Sequence, residues 1–436
     1  MEDKFRSGCR KRVLQEVANL FQALKRYYNS HFDSYFMRAI HVLYLLVGDI
    51  AYLTTSLLPT NHNLWVFGSW QGEEYADNSK YLFEYVCKNH PELRAVWLTR
   101  DKTALDLVTE RGFEAHLIGS ARAFLLRMGS CILILSSDLS DVGSSWRRPP
   151  NVKIVSLWHG TPLKKIEFDV PTTSVDEHPL FCRFKLLPLN KTTLPYDLHI
   201  AASEEAKETL ASAFRAPPET VAVTGYPRTD AFFDLTRETT PVMTALSDAK
   251  KKGFSIGIYM PTHRLEGQNS IRFLIKDLKA IESQLADMHV LLLVKVHFFH
   301  LRELASLKDR LNSVLFVEEK DINQDIYTIL PETDFLITDY SSVYFDYLLL
   351  NKPIIFAPFD IEQYVENDRA LYYNYDGVTP GPKARNWREV VECIEDILTK
   401  SDAYEDERRR VSRMFNAYDG GCSSKRVYDA IVTTLL

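Results

Sequence analysis

From residue 64 onward, short apolar runs alternate with stretches whose apolar positions recur at helical spacing. LWVFGS (64–69) is predicted to be a strand, and NSKYLFEYVCKNH a helix starting near Asn78. RAVWLTR (94–100) is the next strand, followed by a helix around 103–111 that ends at Arg111-Gly112. EAHLIG, a helix around 120–128, CILILSS (131–137) and KIVSLWHG (153–160) carry the alternation on. LHIAAS (198–203) and VAVTGYP (221–227) flank a helix from about 204 to 214. Apolar runs this continuous, spaced by helices, predict parallel strands buried on both faces. The polar stretch TRETTPVMTALSDAKKKG (236–253) reads as a linker. Beyond it the rhythm restarts with SIGIYMP (255–261), a helix around 270–286 and VLLLVKVH (290–297). SVLFVE (313–318), FLITDYS (335–341) and PIIFAP (353–358) complete it. The fold class is therefore α/β, with two Rossmann-like domains facing each other across a cleft, the first over 61–240 and the second over 241–436. The last helix, around 423–435, is a candidate to cross back to the first domain.

Residues 1–60 follow a different pattern. Val13, Val17, Leu20, Phe21 and Leu24 recur at helical spacing, leaving bases on the opposite face. Residues 1–50 hold eight Lys or Arg against five Asp or Glu, a positive segment on a chain of net charge -6. The apolar run that follows is broken by Arg38, His41 and Asp49. A spanning helix needs about 20 predominantly apolar residues, and a central Asp costs roughly 2.5–3.5 kcal/mol on insertion scales. The expectation is an interfacial helical arm on anionic lipid, set against a helical arm packed on the protein's own surface. The start is too polar for a cleavable signal.

The 436 residues and 46% hydrophobic content suffice for two cored domains. The negative charge argues against a nucleic-acid partner. Six scattered cysteines lack CxxC spacing and read as reduced thiols, neither zinc ligands nor disulfides. With no DxD, HExxH or Cys/His set, neither a metal nor a resident cofactor is expected. The lack of GxGxxG after the first strand counts against a simple NAD enzyme.

Ligands of open α/β sheets bind beyond the carboxyl ends of the strands, and four such ends carry polar clusters. KIVSL runs into Trp158-His159-Gly160-Thr161-Pro162, with Lys164 and Lys165 close behind. His159 suits a base near neutral pH, and Gly160 lets a ligand approach the backbone. MPTHR (260–264) supplies Thr262, His263 and the guanidinium of Arg264, which suits phosphate oxygens. VKVH (294–297) puts Lys295 and His297 on one face of a strand, a costly pairing unless an anion meets it. TDYSS (338–342) places Asp339, Ser341 and Ser342 where a strand passes to a helix, a position that suits either a phosphate site or an ordinary cap. Cations and hydroxyls with few carboxylates point to a diphosphate ligand.

These residues resemble the CDP-glycerol glycerophosphotransferase family of teichoic acid polymerases and primases, also found in capsule synthesis. The match covers roughly 64–435 and includes FGSWQGEEYADNSKYLFEYV, SLWHGTPLKKIEFD, VTGYPRTDAFF, YMPTHR, VKVH, LITDYSSVYFDYLLLNKPIIFAPFDIEQY and YDGGCSSKRVYDAI. The resemblance implies a GT-B-type fold at the cytoplasmic membrane face, acting peripherally, with CDP-glycerol or CDP-ribitol as donor. A lipid-linked saccharide or a growing polymer would be the acceptor. It implies His159 as the base acting on the acceptor hydroxyl, with His297 as its catalytic companion. His297 and Arg264 would meet the donor pyrophosphate, and Asp339, Ser341 and Ser342 the phosphates and nearby nucleotide. Thr262 is grouped with the donor contacts. Gly160, Thr161, Lys164, Arg228, Asp230 and Lys295 are assigned only to the cleft. Departures are Phe298, where a second proline is frequent, and His263, where an aromatic is common. The short stretch ahead of residue 64 suggests a single-module enzyme. Two competing readings are a GT-B glycosyltransferase using a nucleotide-sugar and a non-catalytic nucleotide-binding subunit of a capsule complex.

Overall fold

A computed structural model describes residues 60–143, 151–170, 196–234, 240–262, 270–295, 311–322, 325–361 and 370–436. The expected N-terminal arm, Arg264 and His297 all lie outside these residues. The chain divides into two compact units, one within 1–158, 188–198 and 431–436, the other within 159–187 and 199–430.

In the first unit β1 (Asn61–Gly68), β2 (Arg94–Thr99), β3 (Ala115–Leu117), β4 (Ser130–Leu135) and β5 (Lys153–Ser156) run parallel in the order β3-β2-β1-β4-β5. Alternation along the strands sends side chains to two different cores. Leu64, Val66, Val96, Leu98, Leu133 and Leu135 pack with Ala123 and Leu126 of α3 (Ala121–Gly129). Phe67 and Trp97 turn the other way and meet Phe83 of α1 (Asp77–Asn89), edge to face, at 5.3 and 5.5 Å. Both faces are thus covered, as the unbroken apolar strands require. Asp101 caps α2 (Lys102–Glu110) by accepting from the Ala104 amide, and Ser120 caps α3 likewise from Ala123.

In the second unit β6 (Leu198–Ala201) pairs with β7 (Val221–Val223) in parallel, and α4 (Glu204–Phe214) connects them. A second parallel sheet orders β8 (Ser255–Met260), β9 (Val290–Lys295), β10 (Val314–Val317), β11 (Phe335–Thr338) and β12 (Ile354–Phe356) as β10-β9-β8-β11-β12. Leu274, Leu278, Ile281 and Leu285 form one stripe of α6 (Ser270–Asp287) and pack on Val290, Leu292 and Val294 with Trp387 and Ile394 of α8 (Trp387–Thr399). Each such fully buried side chain stabilises the unit by about 1.5–3 kcal/mol before entropy is counted.

The predicted linker over 236–253 contains a helix. α5 (Pro241–Lys251) starts with proline at its first turn, and Thr240 caps it through the Met243 amide at 3.2 Å. Val242 and Leu246 are its buried residues, too few for the apolar rhythm to reveal it. Conversely, VAVTGYP is a strand only over 221–223, because Gly225 turns to φ +77° and a 3₁₀ turn, Pro227–Phe232, takes over. The remaining helices used below are α7 (Val343–Tyr347), α9 (Glu405–Phe415) and α10 (Ser423–Leu435).

Candidate active site

The strand orders place a crevice beyond β1 and β4 in the first unit and beyond β8 and β11 in the second, since the chain reverses direction across each sheet there. In both, one buried aspartate stitches the two loops together.

In the first unit this is Asp141. Its Oδ1 accepts from the Gln71 amide at 2.7 Å, and its Oδ2 from the Ser136 and Ser137 amides at 2.9 and 2.7 Å. The loop it grips is unusual, because Trp70 and Gln71 both adopt positive φ, 44° and 58°. Burial pushes the Asp141 carboxyl up to about 7; the amides oppose that rise and Asp138 adds to it. From its ordinary 3.8 to about 7 the folded chain therefore holds a proton that the unfolded chain has released. Stability contributed here is present at acid pH and is lost as pH rises through that window, by at most about 1.4 kcal/mol per pH unit. Urea titrations at pH 5 and pH 8 check this: the wild-type midpoint should fall more steeply with pH than that of Asp141→Asn. Parallel pH trends would refute it.

The WHG turn follows β5. Asn78, wholly buried, donates its Nδ2 to the carbonyls of Leu157 and Trp158 at 3.2 and 2.9 Å. This fixes a strained residue, since Trp158 sits at φ +48°. His159, next in the chain, is half-buried. Gly160 has φ +122°, and a Cβ there would lie 2.4 Å from Arg228 Nη2 and 3.3 Å from Ser342 Oγ. Glycine is required twice over, by conformation and by space. Thr161 is buried, while Lys164 and Lys165 are half-buried. The backbone there is tied down by Lys165 N to Ala370 O at 2.8 Å and Tyr372 N to Leu163 O at 2.9 Å.

Arg228 is 4% exposed. Its Nε and Nη2 donate to Asp346 Oδ2 at 3.0 and 2.6 Å, and its Nη1 to the His159 carbonyl at 3.0 Å. Tyr327 donates its hydroxyl to the same Asp346 oxygen at 2.7 Å and lies with its ring 4.8 Å from the guanidinium carbon. His159, Gly160, Arg228 and Ser342, drawn from three distant segments, therefore meet in the second unit.

Thr262 and Asp339 meet across the second crevice. Asp339 Oδ1 accepts from Thr262 N, Thr262 Oγ1 and Tyr340 N at 2.8, 2.6 and 2.6 Å, and Tyr375 holds its carbonyl at 2.9 Å. Its carboxylate thus faces inward and is 1% exposed as a residue. Ser341 and Ser342 beside it are half-buried. α7 has five residues, and the Ser342 hydroxyl makes no capping bond, so the ordinary-cap reading does not describe it. Lys295 is half-buried at the end of β9. Asp230 serves α10 instead, accepting from Ser423 N and Ser424 N at 2.7 and 2.8 Å. Gly225 opens space for that same helix start, since a Cβ there would meet Ser423 Oγ at 2.6 Å.

Sequence reasoning missed Asn78, Asp141, Tyr327 and Asp346. For Asp346 a signal existed, because an acid inside the apolar run VYFDYLLL calls for a buried cationic partner.

A histidine, hydroxyls and a buried guanidinium at the strand ends of parallel α/β units suit a group-transfer enzyme. The chain belongs to the CDP-Glycerol:Poly(glycerophosphate) glycerophosphotransferase family, whose model matches residues 50–433. It is 28% identical over 408 residues to the teichoic acid poly(glycerol phosphate) polymerase of Bacillus spizizenii, covering 89% of this chain and 97% of that protein. It is 26% identical over 410 residues to the teichoic acid glycerol-phosphate transferase of Staphylococcus aureus, covering 88% and 97%. A solved structure of the wall teichoic acid polymerase TagF superposes with a TM-score of 0.71 at 22% identity, covering 100% of this chain and 98% of that one. The likeness in structure confirms a mixed α/β fold built on parallel sheets.

Proposed function

We propose that this chain transfers a polyol phosphate, glycerol phosphate first, from a CDP-linked donor to a hydroxyl of a membrane-linked or polymeric acceptor, with release of CMP. The observation that carries this reading is the meeting of His159, Gly160, Arg228 and Ser342 in one place, in a chain of this family. Glycerol phosphate is put first because it stands in the family's description. In the proposed step the acceptor oxygen attacks the phosphorus bearing the polyol, and its proton passes to His159. The new P–O bond forms as the bond to the bridging oxygen breaks, and CMP departs with that oxygen.

Charge on the transferring group needs donors already in place. Ser341 and Ser342 offer hydroxyls, and Lys295 an ammonium. In this reading Arg264 and His297 meet the donor pyrophosphate, and Thr262 steadies the crevice through Asp339. No metal or resident cofactor enters this reading. The 436-residue chain incubated with CDP-glycerol, CDP-ribitol and UDP-sugars, each with a lipid-linked saccharide acceptor, tests it. CMP should appear with a CDP-polyol. UDP release from a nucleotide-sugar, with the CDP-polyols inert, would replace it with the glycosyltransferase reading.

No described helix is long and apolar enough to cross a membrane. We place the enzyme peripherally at the cytoplasmic membrane face, held by the basic, apolar-striped segment over 1–60. Deleting residues 1–60 should abolish sedimentation with vesicles containing anionic lipid. Undiminished sedimentation would show that the segment is not the anchor.

A further inference from the structure

A single guanidinium meets three motif segments. Arg228 comes from the 3₁₀ turn after β7, Asp346 from α7, and the His159 carbonyl from the turn after β5. Arg228 and Asp346 side chains are 4% and 1% exposed. A pair so dry is a poor source of stability, because dehydrating two ions costs several kcal/mol and apolar replacements of similar volume often serve as well. What apolar side chains cannot do is hold a backbone carbonyl at a fixed height. Nor can Arg228 readily bind the donor phosphates, since Nε, Nη1 and Nη2 already donate to protein acceptors and Asp346 balances its charge.

We propose that Arg228 is a positioning residue for phosphate transfer. By holding the His159 carbonyl, it fixes the backbone from which the imidazole projects, while Asp346 and Tyr327 fix the orientation of the guanidinium. The proposal rests on the functional reading above and deepens it. Gly160 is part of the same arrangement, because it alone lets the turn settle onto Nη2. A lysine cannot replace Arg228, since one ammonium lacks the planar fork that reaches Asp346 and the His159 carbonyl together. Misplacing a reacting group by an ångström costs about 10²-fold in rate. The loss should therefore fall on kcat and leave donor binding nearly intact.

The test uses the full chain with Arg228→Lys. Amide exchange over 159–163 should accelerate by about tenfold or more relative to wild type, while the strands of the second sheet keep their protection. Steady-state kinetics should show kcat down about 10²-fold, with KM for CDP-glycerol changed by less than about threefold. A raised KM with kcat intact would overturn the proposal in favour of direct donor contact. Unchanged exchange over 159–163 would overturn it as well. If Arg228→Lys does not fold, Tyr327→Phe removes the 2.7 Å bond to Asp346 and keeps the ring. It should show the same pattern in milder form, and wild-type exchange and kcat there would count against the proposal. Should wild type release no CMP from either CDP-polyol while the exchange result holds, the substrate reading fails and the positional role stands.

Discussion

With His159 replaced by asparagine, CMP release from a CDP-polyol is expected to fall by about 10²–10⁴-fold, the usual contribution of a general base. Asparagine is polar and nearly as large, and two anchors of the turn act on backbone carbonyls that the replacement keeps. Arg228 holds the carbonyl of residue 159, and Asn78 the carbonyl of Trp158. The melting temperature and circular dichroism should therefore match wild type. The pH profile is the sharper readout. A base must be neutral to accept a proton, so wild-type kcat/KM should rise with pH along an acid limb that the variant lacks. Turnover at the wild-type rate, or an acid limb that persists unchanged, would remove His159 from the chemistry.

The largest stability effect is expected at Asp346. Its Oδ2 receives two bonds from Arg228 and one from Tyr327, all buried. Asp346→Ala leaves a dehydrated guanidinium without its counter-charge, and breaking a buried pair in this way costs about 3–5 kcal/mol. Urea denaturation should show a correspondingly lowered midpoint. Replacing both partners, as Arg228→Met with Asp346→Leu, should recover most of that loss, because no uncompensated charge remains. Turnover should not recover with it, since methionine cannot hold the His159 carbonyl. A cost below about 1 kcal/mol for Asp346→Ala would mean that water reaches the guanidinium.

Much of the architecture was legible along the chain for one physical reason. Strands covered on both faces, such as LWVF and CILIL, are apolar at every position and stand out from the helices between them. α4 is found at the predicted 204–214, with Ser203 capping it through the Ala206 amide. α5 was not legible, because a cap, a proline and a few buried side chains make no rhythm. At the candidate site, the polar strand ends were legible, whereas the pairings among their side chains were not. Arg228 reads only as a cleft residue until its partner 118 residues away is in place. Asp230 likewise turns out to serve the start of α10. Asp141 sits in a loop whose sequence, SDLSDVG, gives no hint that its carboxylate gathers amides from two strand ends.

The inward-facing carboxylate of Asp339 has one more consequence. It ties the loop after β8 to the loop after β11, with the Thr262 amide, the Thr262 hydroxyl and the Tyr340 amide all on one oxygen. On the function proposed above, the level of the Ser341 and Ser342 hydroxyls would then be set by a residue on the other loop. The stitch would act as a depth gauge, fixing that level before a donor makes any contact that recognises it.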